Sequence, residues 1–421
     1  MCATADFAAR CIRRTTWAKL LYFWCLDWSH PMNRESRTVT LVVSIASATT
    51  TTLPAFLTGA LAVVIRHHLD LTTTQLGLLV STFFAAAIPF SLLIGPRVKL
   101  LGVERLMRIA VASTVLSLLT IALLDSTFLS ILVSLILAGA ANGVMQPTVN
   151  QFLVGRIKLK GQGLAFGIKQ AAVPLATLLA GLAVPLVALT IGWRYGYLGA
   201  AIFGIVTFVA IPTTNKGSTE QGDRTATKVV LGPLIILAMG MAFGAGAANA
   251  MGAFLVSSNV HSGFSPGTAG YLAAIGSASS FITRIMSGFF ADRRRGNHLT
   301  VVAAMLMIGA VGYLLLSLGN PELVVFAGVL AYAAGWGWNG VFNFAITKTH
   351  PGSIAHATGI TQAGLYCGSL LGPSLFGVLV DHYSFAVAWQ VNAVFAVIGA
   401  IAMWIGRRAL RAELAGRDLG A

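Results

Sequence analysis

With 421 residues, 56% of them hydrophobic and only 10% charged, the chain is far from the composition of water-soluble domains, in which charged residues make up about 25%. A mean hydropathy of +0.81 excludes an ordinary soluble globule and makes lipid the solvent. The net charge of +15 does not signal nucleic acid, because the basic residues sit in short segments between apolar runs and form no basic domain.

In chain order, residues 1–38 are expected to form a cytoplasmic N-terminal extension. Its aromatic stretch Trp17 to Trp28 is too short to cross a bilayer and suits an interfacial helix, while Met32 reads equally well as an alternative start. A run of about 20 apolar residues crosses a hydrocarbon core roughly 30 Å thick. Twelve such runs follow, at 40–65, 75–96, 106–125, 128–152, 163–190, 194–213, 230–257, 268–291, 299–318, 322–346, 355–380 and 385–406. The most hydrophilic internal stretch, Thr213 to Lys228, falls between the sixth and seventh runs. The predicted domains are thus a six-helix half over 39–213, a cytoplasmic linker over 214–229, a second six-helix half over 230–408 and a cytoplasmic tail over 409–421. The predicted fold class is an all-α membrane protein of twelve transmembrane helices in two pseudo-symmetric six-helix bundles.

Lysine and arginine placement orients the chain, since cytoplasmic loops carry the positive excess. With both termini inside, the exceptions among the 28 basic residues are Arg66 and Arg194 outside and Lys169 and Arg284 within spans. The expected location is the plasma membrane. Cys2, Cys11, Cys25 and Cys367 form no CxxC or metal-ligand spacing, so no metal or cofactor is expected. No nucleophile–base pairing or phosphate-binding glycine loop is present either, and an enzyme is not expected.

The halves echo each other. Gly167-Ile168-Lys169-Gln170-Ala171 in span five returns 192 residues later as Gly359-Ile360-Thr361-Gln362-Ala363 in span eleven, and Leu178-Leu179 matches Leu370-Leu371 at the same offset. Gly95 pairs with Gly288, and Asn142-Gly143-Val144 with Asn339-Gly340-Val341. Parallel six-span repeats with a solute site near the midplane characterise one large transporter class.

On these residues the sequence resembles the major facilitator superfamily, from about residue 38 to 410. The family's G-x-x-x-D-R-x-G-R loop has a close second-half copy, Gly288-Phe289-Phe290-Ala291-Asp292-Arg293-Arg294-Arg295-Gly296. The first-half copy keeps Gly95, Gly102 and Arg105 but carries Lys99 where the family usually has Asp. The resemblance implies gating at the cytoplasmic ends by Gly95, Lys99, Arg105, Gly288, Asp292 and Arg293. It also implies that helices five and eight meet across the two halves. The spacing Arg284-x-x-x-Gly288-x-x-Ala291-Asp292 is similar to helix eight of bacterial cyanate-type and monocarboxylate-type members. The arginine that proton-driven drug exporters carry ahead of G-x-x-x-G in helix four is Leu135 here, and the exporters' glycine-proline pairing occurs at Gly372-Pro373 in helix eleven instead of helix five.

Ionisable groups within a bilayer are costly and are functional candidates by default. All thirteen carboxylates fall in tails, loops or helix ends, whereas Lys169 and Arg284 lie near mid-membrane. Two such cations without a buried acid favour an anionic solute; snorkelling of Lys169 and pairing of Arg284 with Asp292 or helix carbonyls are the structural alternatives. Asn142, Gln170, Asn339, Asn343 and Gln362 complete the candidate substrate site. The expected function is a secondary active transporter moving a small anionic solute by alternating access. A multidrug or antibiotic exporter of the same superfamily is the alternative. The expected partners are the solute, the lipid bilayer and a proton as candidate coupling ion, with no nucleic acid. His67 and His68 titrate in the right range for coupling but are expected at the surface.

Overall fold

The computed structural model describes residues 34–94, 97–124, 127–157, 162–212, 231–293, 298–350 and 354–418. Residues 1–33 of the expected extension over 1–38, Gly95 and the linker over 214–229 lie outside the described residues. Every described element is helical: α1 (Arg34–Ala60), α2 (Ala62–Leu69), α3 (Thr73–Ile94), α4 (Val98–Leu101), α5 (Val103–Leu123), α6 (Phe128–Val154), α7 (Gln162–Gln170), α8 (Ala172–Ala183), a π-helical turn (Val184–Ala188), α9 (Trp193–Ala210), α10 (Leu231–His261), α11 (Pro266–Arg293), α12 (His298–Ser317), α13 (Val324–Ala333), α14 (Asn339–Thr349), α15 (Ile354–His382) and α16 (Phe385–Asp418).

Among the described residues, ten helical stretches are long and apolar enough to cross a membrane, counting α7, α8 and the π turn as one. The remaining two of the twelve expected spans are the polar α11 and the pair α13–α14, which is interrupted between Ala334 and Trp338. That interruption falls on Gly335-Trp336-Gly337-Trp338, where glycine weakens the helix and the Trp338 indole takes the Gly335 carbonyl at 2.8 Å. Span five breaks at Ala171 and again at the π turn, three residues before Pro174 and one before Pro185. Each proline removes a helical N–H donor. Three boundaries differ from expectation: the first helix begins at Arg34, the last runs on to Asp418 through the expected tail, and Asp292-Arg293 are the last helical residues of α11 rather than loop.

Helix packing repeats from one half to the other. In the first half α1 packs on α8, α3 on α6, and α5 on both α6 and α9. In the second half α10 packs on α15, α11 on α13, and α12 on both α13 and α16. Across the halves α3 lies on α15 while α7 and α8 lie on α11, a pair of contacts exchanged by the same pseudo-symmetry, and α1 meets α10 near its axis. The repeated Asn-Gly-Val segments serve this packing. Gly143 leaves no room for a Cβ against the Ala87 carbonyl of α3, whereas its repeat Gly340 faces Arg284 of α11 at ordinary contact distance.

The apolar core is undivided at one end of the bundle and split at the other. Leu61, Leu76, Ala176, Trp193, Phe254, Tyr313, Tyr332 and Trp389, drawn from both halves, belong to a single cluster. Toward the opposite end Met107, Met145 and Phe152 form a cluster of first-half residues, and Met241, Phe342 and Met403 form another of second-half residues. The apolar core is therefore shared by the halves at the end carrying Leu71 and separate in each half toward the end carrying Arg105 and Arg407.

Candidate functional site

The two cations expected near mid-membrane come together. Arg284 is 0% exposed and Lys169 4%, and they lie close enough for their charges to repel. Lys169 closes the last turn of α7 and donates through Nζ to Gln146 Oε1 of α6 at 2.6 Å. Arg284, in mid-α11, reaches across the interface between halves: one terminal nitrogen donates to the Gln170 carbonyl at the break in span five, the other to the Trp336 carbonyl at the break in span ten, at 2.9 Å. The Nε of Arg284 is buried with no hydrogen-bond partner. The Trp336 ring lies 5.9 Å from the guanidinium carbon and meets Phe56 of α1 edge-on at 5.4 Å, so the break in span ten touches both halves.

The broken helices explain why these carbonyls are available. In a continuous helix the Gln170 carbonyl would accept from the residue four positions on, and that residue is Pro174, which has no N–H. Backbone polar groups inside a membrane require another partner, and Arg284 supplies it. Among the described residues no carboxylate pairs with either cation; the side chain of Asp292, the alternative partner of Arg284, lies outside them. The ion pair found among the described residues is Arg156–Glu104, where Arg156 also stacks over Phe152 at 3.9 Å.

The other expected site residues separate. Asn142 is buried and donates to Thr51 and Thr52 of α1 at 3.3 and 3.2 Å, joining helices within the first half. Asn343 donates to Asn339 one turn earlier on α14 at 2.9 Å. Gln170 enters the Arg284 contact through its main chain, and Gln362 lies with Ser91 beside the Tyr366 hydroxyl, where α15 faces α3. Gly167 of the repeated segment packs toward the Arg284 carbonyl and Gly288. Of the gating residues, Arg105 is exposed at the start of α5, Lys99 lies on α4, and Asp292 and Arg293 end α11; the side chains of Lys99, Asp292 and Arg293 lie outside the described residues. His67 and His68 are exposed, as expected.

Gln146, one of the uncharged polar span residues able to hydrogen-bond a solute, is marked out from the others by its contact with Lys169. A further feature was not singled out by sequence reasoning. Asp381, at the end of α15, accepts main-chain hydrogen bonds from Thr73 and Thr74 of α3 at 3.2 and 2.6 Å. The signal available for this contact was Thr72-x-x-Gln75, a capping-box spacing at the start of α3.

Two six-helix bundles related as a parallel repeat, with cations and broken helices buried where they meet, define a multi-pass membrane transporter. The family model for the Major Facilitator Superfamily matches residues 40–361, and the chain belongs to that family. In fold it is similar to the crystal structure of a bacterial homologue of the human lysosomal transporter Spinster in its inward-facing and occupied conformation. The TM-score is 0.67 at 18% identity, covering 90% of this chain and 98% of that one. The inward-facing, unoccupied structure of the homologue gives a TM-score of 0.66 at 16% identity, with the same coverage. Among curated proteins, 118 residues are 30% identical to an MFS-type transporter of Gibberella moniliformis, covering 28% of this chain and 26% of that protein. A further 124-residue match is 32% identical to the Aspyridones efflux protein apdF of Emericella nidulans, covering 29% of this chain and 25% of that protein. Each match thus spans about a quarter of the relative's length.

Proposed function

We propose that the chain is a secondary active transporter that moves a small anionic solute across the plasma membrane by alternating access, with Lys169 and Arg284 as its cationic centre. The observation that carries this reading is the pair of buried cations, mutually repelling and without a carboxylate partner among the described residues. An anion between them relieves that repulsion, and the unfilled Nε donor of Arg284 supplies a hydrogen bond. Gln146 orients Lys169, while Asn339, Asn343, Gln170 and Gln362 offer amides near the split side of the core. The small cyanate-type or monocarboxylate-type anions fit the Arg284-x-x-x-Gly288 spacing of helix eight.

Orientation follows from the basic residues. Arg105, Arg108, Arg156, Lys348 and Arg407 gather toward the end where each half keeps its own apolar cluster, which supports reading that end, with both termini, as cytoplasmic and this form as inward-facing. The inward-facing Spinster homologues support the same assignment. Gating at that end is assigned to Gly95, Lys99, Arg105, Gly288, Asp292 and Arg293, with a proton as candidate coupling ion.

A multidrug or antibiotic exporter of the same superfamily is the second reading, and the partial match to the Aspyridones efflux protein supports it. The deciding experiment is uptake into proteoliposomes of radiolabelled small carboxylates, inorganic anions and cationic drugs, by wild type, Lys169→Gln and Arg284→Gln. Anion flux lost in both variants is the expected result. Drug flux indifferent to both substitutions, without anion flux, overturns the anion reading.

A further inference from the structure

The start of α3 is capped by the opposite half of the molecule. A helix leaves its first main-chain N–H groups without internal acceptors. At α3 the Thr72 hydroxyl accepts from the Gln75 N–H at 3.1 Å and the Gln75 side-chain oxygen accepts from the Thr72 N–H at 2.8 Å, a complete capping box within the helix. That box leaves the N–H groups of Thr73 and Thr74. Asp381, from the last turn of α15, places Oδ1 on one and Oδ2 on the other. Among the described residues no basic side chain forms an ion pair with Asp381, so its charge is held by these two donors and by the positive end of α3.

The same seam is closed below the cap. Gly77 packs on the Pro373 carbonyl, Gly377 on the Thr73 carbonyl, and the Ser374 hydroxyl donates to Ser81 at 2.8 Å. Every one of these contacts joins the first half to the second, at the end where the apolar core is undivided. Parting the halves at this end must break both hydrogen bonds to Asp381 together.

From this we infer that Asp381 and the N-terminus of α3 form a latch that holds the undivided end of the bundle shut and sets the balance between the form seen here and one open at that end. The latch differs in place and chemistry from the glycine and Asp292 signature at the split end, and it requires no solute and no assumption about what the transporter carries. Its strength is that of a two-donor cap on a partly solvated surface, enough to shift an equilibrium several-fold and weak enough to be broken in each cycle.

The test is pulsed-EPR distance measurement on the full-length protein in lipid nanodiscs. The four native cysteines are replaced by serine, and spin labels are placed at His67→Cys and Tyr383→Cys, exposed positions on opposite halves at the undivided end. Asp381→Ala is expected to raise the long-distance population about three- to tenfold. Thr73→Pro, which removes one donor at a helical position that tolerates proline, is expected to raise it by less. Asp381→Asn, which keeps an acceptor and loses the charge, should fall between wild type and alanine. Distance distributions unchanged in both Asp381→Ala and Thr73→Pro overturn the latch. A lowered melting temperature with unchanged distributions overturns it equally, since that is the signature of a cap that stabilises α3 without joining the halves.

Discussion

Arg284 of α11 donates to the main-chain carbonyl of Gln170, the carbonyl that Pro174 leaves without its helical partner. One proline in the first half thereby creates the acceptor that a cation in the second half uses, and the contact crosses the interface between the halves. A buried guanidinium held by carbonyls keeps its charge available for a ligand, whereas pairing with a carboxylate would neutralise it.

This relationship predicts a non-additive pair of substitutions. Pro174→Ala restores an N–H that competes for the Gln170 carbonyl, so Arg284→Ala should cost less in that background than in wild type. The expected coupling is about 1 kcal/mol, in the range for residues sharing one hydrogen-bond network. A double-mutant cycle on thermal or denaturant stability in detergent measures it, and additive effects would show that the proline and the arginine are independent.

Gln146 is expected to act through Lys169. Gln146→Leu strands a buried ammonium that now has a 2.6 Å partner, and loss of a hydrogen bond to a charged group is worth roughly 1.5–3 kcal/mol. Under the anion reading the apparent KM should rise about tenfold or more with a smaller change in maximal rate. Gln146→Asn should recover part of the loss, whereas Gln146→Glu, which sets a carboxylate on the ammonium and neutralises it, should not restore anion affinity. Kinetics in proteoliposomes decide the order.

The Arg156–Glu104 pair joins α5 to the end of α6 with both side chains mostly buried. Removing either partner leaves the other poorly solvated, so Glu104→Ala and Arg156→Ala should each lower stability by about 1–3 kcal/mol. The double variant should cost clearly less than the sum. Equal costs that add would mean the pair contributes nothing as a pair.

Gly364, Gly368 and Gly372 of α15 press against the carbonyls of Ala238, Ala242 and Gly246 of α10. A side chain at Gly368 forces those two helix backbones apart, so Gly368→Ala should destabilise by roughly 1–3 kcal/mol, the range for overpacking. Gly359, on the same helix with open space around it, should accept alanine without loss. Fluorescence size-exclusion profiles after heating compare the two directly.

Composition and the spacing of apolar runs determined the number of spans, because a bilayer imposes one length on every crossing helix. Duplicated segments determined the two-half plan, since the repeated Asn-Gly-Val segments lie on matching helix contacts, α6 on α3 and α14 on α11, although of their two glycines only Gly143 is packed too closely for a side chain. The scarcity of mid-membrane charge singled out Lys169 and Arg284. Tertiary structure alone decided what those residues touch. Asn142 has the composition of a ligand residue, yet it bonds Thr51 and Thr52 of a neighbouring helix, and Gln170 contributes a carbonyl where its amide was expected to matter. The cap that Asp381 places on Thr73 and Thr74 joins positions more than 300 residues apart. Hydropathy and periodicity describe how one helix meets its solvent; contacts between halves depend on rotation and depth, which only packing sets.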